Sequence, residues 1–444
     1  MSRLSLDEAL RVLERTRGAE VAGRVTELIG LVIRATAPGA RVGELVIIER
    51  ARGGQLLAEV VGFQGEEVVL LPLGSADGVG PDSVVRPTGR PFAIRCGPSL
   101  LGRVIDGLGE PIDDRGPLDP ADLGWWAVER PAPEPLSRRR VTTPLAIGVR
   151  AIDAVLAIGD GQRIGLFAPS GAGKSTLLGQ IARNASADVI VIGLVGERGR
   201  EVRDFLEVQL DEASRARTVC VCATSDAAPL LRLKSALGAT AVAEYFRDRG
   251  RRVLLLLDSL TRVARAQREV GLAAGEPPAR QGYPPSVFAL LPRLLERGGQ
   301  AAVGSITAIY TILTNADDLD DPIAEEVRAI LDGHIVLSRE LAARGQWPAI
   351  DVVRSLSRVM DDVVDAPHRA AAAHLRQILA TYERQRDLIL LGAYRRGVDP
   401  ATDEALDRVD AVEAFLRQPR DERAPRDESR ARLLELFAQP PRRS

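Results

Sequence analysis

Apolar positions along the chain change their spacing three times. Between residues 4 and 18, Leu4, Leu6, Leu10, Val12 and Leu13 recur with helical period before a charged end. This predicts a short amphipathic helix within an N-terminal segment, 1–21. From 22 to 91 the apolar runs shorten to RVTELIGLVIRATA, VGELVIIER, LLAEVVGFQGEEVVLLPLG and DSVVRPTG, with Gly and Pro between them. Short strands at that spacing predict a small β-barrel. From 92 to 360 the pattern is α/β. The runs RIGLFA, DVIVIGLVG, TVCVCATS, RVLLLLDS and AVGSITAIYTI do not alternate, as befits strands buried on both faces, and helical stretches lie between them. Five such units predict a mostly parallel sheet. Within this region LGRVIDGLGEP (101–111) reads as a tight crossing loop, and 112–144 as a proline-rich linker anchored on apolar ground by Trp125 and Trp126. Residues 361–418 turn helical again and predict a third domain. The charged, proline-broken stretch 419–444 reads as a tail with at most one short helix near ARLLELF.

Composition narrows the partners. The 59 Lys and Arg are balanced by 61 Asp and Glu, so no chain-wide attraction to nucleic acid or anionic lipid is implied. Cys96, Cys220 and Cys222 are odd in number and lack metal or redox spacing, which predicts reduced core thiols in a cytosolic protein. No apolar run reaches the roughly 18 residues of a membrane span, so the expectation is a soluble chain, with peripheral attachment to a membrane assembly left open.

The densest chemistry lies in GLFAPSGAGKSTLLGQI, 165–181. A buried strand, a glycine-rich turn and a helix start are the setting in which backbone N–H groups wrap phosphates. Ser170, Gly171, Ala172, Gly173, Lys174, Ser175 and Thr176 form the predicted cradle. Lys174 bridges the β- and γ-phosphates, and the Ser175 hydroxyl ligates magnesium. Ala168 stands where a strict phosphate-loop pattern has glycine. An acid closing the apolar run of RVLLLLDSLTR is costly to bury without a task, so Asp258 is the candidate magnesium-side carboxylate. In VIGLVGERGREVRDFL, Glu197 comes after a strand and can polarise the attacking water, with Glu201, a turn further on, as competitor. Arg198 either touches phosphate or orients Glu197. Trp347, before Pro348, is one of few aromatics available to stack on a base; the alternative is a structural role. Residues and spacing thus point to a magnesium-dependent ATPase or GTPase.

The stretches PSGAGKST, GLVGERGREVRDFLE, CATSDAAPLLRLKSALGATAVAEYFRDRG, LLLLDSLTRVARAQREVGLAAGEPPARQGYPPSVFALLPRLLERGG, DPIAEEVRAILDGHIVLSRELAARGQWPAIDV and LGAYRRGVDPATDEAL carry a resemblance. Over about 25–417 the chain resembles the export ATPases of type III secretion systems. These are the injectisome and flagellar relatives of the catalytic subunit of rotary ATP synthase. The resemblance implies a RecA-like P-loop ATPase core between an N-terminal β-barrel and a C-terminal helical domain, with ATP and Mg2+ as ligands. It implies a homohexameric ring with nucleotide sites between subunits. Arg358 would reach a neighbour's γ-phosphate, Trp347 would stack on adenine, and Glu197 rather than Glu201 would be the catalytic carboxylate. Residues 282–299 would line a central pore holding a stalk protein.

The same likeness implies a stator-type regulator at the N-terminal region, chaperone–substrate complexes on the helical domain, and an export gate at the inner membrane. The ATPase would be cytoplasmic and peripheral to that apparatus, with the injectisome favoured over the flagellum. A synthase subunit fits less well, because Ala168 is unusual there and the helical domain lacks that subunit's acidic stalk-contacting loop. A hexameric RNA translocase similar to the transcription-termination factor is the alternative of another class. Residues 22–90 contain one aromatic, Phe63, and no interleaved basic and aromatic pattern for stacking bases, so no nucleic-acid partner is expected.

Overall fold

The computed structural model describes residues 22–51, 53–314 and 321–438, so the helix expected within 1–21 lies outside the described residues. The described chain forms two compact units. One contains residues up to 92 together with 228–231 and 269–276; the other contains the remainder.

The first unit is built on six strands: β1 (Gly23–Ile29), β2 (Val32–Ala35), β3 (Glu44–Glu49), β4 (Gln55–Gln64), β5 (Glu67–Pro72) and β6 (Val84–Pro91). They close into a barrel in the order β1-β2-β5-β4-β3-β6. Alternate residues point inward, as the two-residue period of a strand requires. Val25, Ile33, Val46, Ile48, Ala58, Val60, Val68, Leu70 and Val85 fill the interior. Gly23 is fixed by close approach, since a Cβ there would lie 1.6 Å from the Thr36 carbonyl oxygen.

The second unit is organised by one large sheet and a small one. The large sheet uses β8 (Val104–Asp106), β10 (Arg163–Ala168), β11 (Val189–Glu197), β12 (Thr218–Thr224), β13 (Arg252–Asp258), β14 (Gly299–Gln300), β15 (Ser305–Leu313), β16 (Gly333–Leu337) and β17 (Ile350–Ser357). Its order is β17-β16-β10-β15-β13-β11-β12-β8, with β14 paired to β15. Pairing is parallel from β16 to β8, and only β17 and β14 run antiparallel to their neighbours. All nine residues of β11 are buried, which is why its sequence shows no alternation. The small sheet pairs β7 (Ala93–Cys96) with β9 (Gly124–Ala127).

The structure corrects two sequence expectations in this unit. The stretch 101–111 is more than a crossing loop, because Val104–Asp106 extends the sheet as β8 against Cys220–Cys222 of β12. Within the supposed irregular linker, Gly124–Ala127 is a strand. Trp126 does anchor it, edge-on to Tyr245 with ring centroids 5.5 Å apart and with Arg130 4.3 Å from its own ring centre. Trp125, on the other face of the strand, is 61 % exposed, with the Arg95 guanidinium 5.8 Å from its ring centre.

The helices Ala366–Leu390, Pro400–Leu416 and Arg426–Ala438 close the chain. The last of them contains ARLLELF, where one short helix was expected, but it packs on the core and is not part of a loose tail. It is 13 residues long, and its Leu433, 0 % exposed, joins the same core cluster as Leu375, Val412 and Phe415. No helix among the described residues is long and apolar enough to cross a membrane. Cys96, Cys220 and Cys222 are buried free thiols, as their composition predicted. Burial pushes Cys96 up to about 12 and Cys222 up to about 11, and raises Cys220 well above its ordinary value.

Candidate active site

Parallel strands end together, so the segments that leave β10, β11 and β13 converge on one edge of the sheet, the usual place for a ligand crevice in such folds. After β10 the chain turns through Gly171 (φ 83°) and Gly173 (φ 81°) and enters the helix Lys174–Asn184. Both glycines hold left-handed backbone that L side chains rarely adopt. Gly173 has a second constraint: a Cβ there would come within 2.6 Å of the Trp347 ring. Ala168 is fully buried in the core at the strand end and has no positive φ, so its methyl group is accommodated where glycine was expected.

Lys174 reaches back to the two carboxylates singled out from sequence. Its Nζ pairs with Asp258 Oδ1 and lies 3.5 Å from Glu197 Oε1. Asp258 is 3 % exposed, and its Oδ1 also accepts a 2.7 Å hydrogen bond from the Thr311 hydroxyl. Glu197 is aimed by a register shift between Val195 and Glu197, where Gly196 takes φ 68°. Burial raises the Glu197 pKa, Lys174 opposes that shift, and a hydrogen bond with Glu201 adds to it. The other Glu197 oxygen accepts from Arg262 Nη2 at 3.1 Å.

Arg262 and Thr311 are the residues that sequence reasoning missed. Arg262 sits one turn beyond Asp258, in the helix Leu260–Ala273, and that spacing was a signal available in DSLTR. Thr311 lies on the neighbouring strand β15, and only the pairing of β13 with β15 reveals it. Arg198, by contrast, does not orient Glu197. Its side chain is 79 % exposed and pairs with Glu201 at 3.7 Å.

Ser170 and Ser175 are exposed on the loop and the helix start, Ala172 is buried, and Thr176 lines a cavity of about 370 Å³ with Gly171 and Gly173. Trp347 and Pro348 form another part of that cavity's wall. Arg358, directly after β17, is exposed and makes no ion pair among the described residues; its backbone N–H donates to Asp332 O at 3.0 Å.

The donor set fits magnesium. Among the described residues no three His, Cys, Asp or Glu side chains cluster as a metal cage. Mg2+ bound with a nucleotide needs none, since phosphate oxygens and water supply most of its ligands. A serine hydroxyl at a helix start and a buried strand-end carboxylate complete the set that such a site uses.

The sequence matches three family models in succession: the ATP synthase alpha/beta family beta-barrel domain over 25–89, the ATP synthase alpha/beta family nucleotide-binding domain over 148–357, and the T3SS EscN ATPase C-terminal domain over 364–435. A type 3 secretion system ATPase of Xanthomonas euvesicatoria is 53 % identical over 402 residues, 90 % of each chain. A flagellum-specific ATP synthase of Bacillus subtilis (strain 168) is 49 % identical over 426 residues, 96 % of this chain and 97 % of that one. Among solved structures, the assembled ATPase EscN of the enteropathogenic E. coli type III secretion system superposes with a TM-score of 0.88 at 46 % identity, covering 93 % of this chain and 99 % of that one. EscN in complex with its central stalk EscO gives 0.86 at 45 % identity, with the same coverage. The chain belongs to the type III secretion and flagellar export ATPase family, ATP-hydrolysing relatives of the ATP synthase alpha/beta subunits.

Proposed function

We propose that the chain hydrolyses ATP at sites shared between subunits of a homohexameric ring, and that hydrolysis energises type III protein export. The observation that carries this reading is the convergence of Lys174, Glu197 and Asp258 at adjoining strand ends, with Arg358 exposed at another strand end and without an ion-pair partner among the described residues.

The amides of 170–176 and the ammonium of Lys174 hold the β- and γ-phosphates. Ser175 and Asp258 would hold Mg2+, which when bound would neutralise charge on the phosphate oxygens. Glu197 orients the attacking water and accepts its proton. Arg262 keeps that carboxylate in place. Arg358 of one subunit meets the γ-phosphate in the next and stabilises charge that develops in the transition state. Trp347 stacks on adenine across Gly173. Arg198, turned outward in this structure, contributes to phosphate contact only by swinging from its pairing with Glu201.

The relative solved with its central stalk supports a stalk protein in the pore lined by 282–299. A stator-type regulator on the N-terminal region, chaperone–substrate complexes on the helical domain, and a cytoplasmic, membrane-peripheral position beneath the export gate complete the proposal. The injectisome is favoured by the C-terminal match to the type III secretion ATPase model. Flagellar export remains the second reading because flagellum-specific relatives reach 49 % identity over nearly the whole chain. Affinity purification from native cells, with mass spectrometry of the copurifying proteins, separates them: sorting-platform proteins and effector chaperones against flagellar export components.

The chemical reading is tested by Glu197→Gln and Lys174→Ala. Both are expected to lower kcat by at least about a thousandfold, and the glutamine variant should still bind ATP. Near-normal turnover in Glu197→Gln would hand the role to Glu201 or another base.

A further inference from the structure

Arg358 leaves the sheet at the end away from its own phosphate loop. Strand β10 runs parallel to β16 with Gly165 level with His334, so Asp332 stands beside the first residues of β10. β17 returns antiparallel with Ser357 level with Gly333, and the Arg358 backbone N–H donates to Asp332 O at 3.0 Å. From Arg163 to Ala168, β10 rises roughly 17 Å before the glycine turn begins.

The junction that carries Arg358 is held by a buried amide. Gln162 is 0 % exposed. Its Nε2 donates to Asp332 O at 3.0 Å and to Ser357 Oγ at 3.1 Å, and its Oε1 accepts from Gly159 N at 2.9 Å. A primary amide has two N–H donors and a carbonyl, so this group is fully used. The Ser357 hydroxyl donates in turn to Ala157 O at 2.8 Å. Asp332 is fastened from its side chain as well: its carboxylate accepts two bonds from the Arg163 guanidinium and one from Arg163 N, each of 3.0 Å. Gln162 therefore bonds to the residue before Arg358 and to the residue that holds the Arg358 backbone. Any other geometry of the junction leaves a buried donor or acceptor unpaired.

We propose that Gln162 is the positioning residue for Arg358. By locking the start of β16 to the end of β17, it sets the direction in which the Arg358 side chain leaves the subunit. The site it serves is that of the neighbouring copy, although Gln162 directly precedes the strand that enters its own chain's phosphate loop. This role rests on the reading of Arg358 as the arginine that acts in the next subunit.

In the assembled full-length enzyme, Gln162→Ala is expected to lower kcat about thirtyfold and to leave KM for ATP within about twofold. Subunit mixing then separates service to the neighbour from support of the chain's own phosphate loop. Gln162→Ala mixed with Glu197→Gln should turn over faster than the sum of the two alone, because a Glu197→Gln subunit can present a well-held Arg358 to a Gln162→Ala site. Gln162→Ala mixed with Arg358→Ala should show no such gain, since both impair the same contribution. A residue that supported its own loop would give the opposite pattern, and that result would overturn the proposal. Ser357→Ala removes one hydroxyl from the same junction and guards against misfolding of the glutamine variant; it should lower kcat about threefold with the same mixing pattern. Turnover within about twofold of wild type in both variants would also overturn it. Arg358→Ala mixed with Glu197→Gln is the control: without a gain there, the shared-site reading fails, whereas a gain there and none with Gln162→Ala sinks the role of Gln162 alone.

Discussion

The tightest chemistry turns on single hydrogen bonds to buried carboxylates. Asp258 is held by Lys174 and by the Thr311 hydroxyl at 2.7 Å, and Thr311 is itself 0 % exposed. Outer-sphere partners of this kind set how well a carboxylate serves a metal. Thr311→Val keeps the shape and removes the donor. It should raise the Mg2+ concentration needed for half-maximal binding of a fluorescent ADP about tenfold, whereas Thr311→Ser restores it to within about twofold. Equal binding curves for the valine and wild-type chains would remove Thr311 from the site. Lys174, Glu197 and Asp258 were legible from sequence because each stands beside a feature visible in one dimension: a glycine turn, or the end of an apolar run. Thr311 was not. A threonine in a strand is ordinary in sequence, and its role arises from which strand lies next to β13.

At the level of elements, long and strongly patterned segments were readable and short ones were not. Barrel strands and the five buried runs carry their own periodicity. The three-residue strand β8 carries too few positions to show any, and it forms because β12 offers an edge to pair with. The helix Arg426–Ala438 was legible only in its ARLLELF part. Six of the thirteen residues in RDESRARLLELFA are charged, and the apolar side chain it buries fully in the core is Leu433. Arg430 ties it to Asp365, the residue whose carboxylate caps the helix Ala366–Leu390. Leu433→Ala should therefore cost about 2–4 kcal/mol of folding free energy, read as a lowered midpoint of chemical denaturation. An unchanged midpoint would mean that this helix docks without contributing to stability.

For the molecule as a whole, the proposed mechanism needs one positive charge that the pocket's own side chains do not supply. Arg358 comes after β17, and its side chain pairs with neither Glu197 nor Asp258, which leaves it available to a neighbouring subunit. Specific activity should then rise steeply with protein concentration through the assembly range. Mixing Arg358→Ala with Glu197→Gln subunits should recover part of the activity that neither has alone, since some interfaces then pair an intact arginine with an intact carboxylate. Activity independent of concentration would place the whole site within one chain. Following such assembly needs only one substitution. Every thiol in the sequence is sealed in the interior and held in its unreactive protonated form, so a maleimide dye finds nothing to attack on the folded chain. A cysteine placed at Val398, 74 % exposed at the tip between two C-terminal helices, would be the one labelling point, and energy transfer between differently dyed copies would report each ring as it closes.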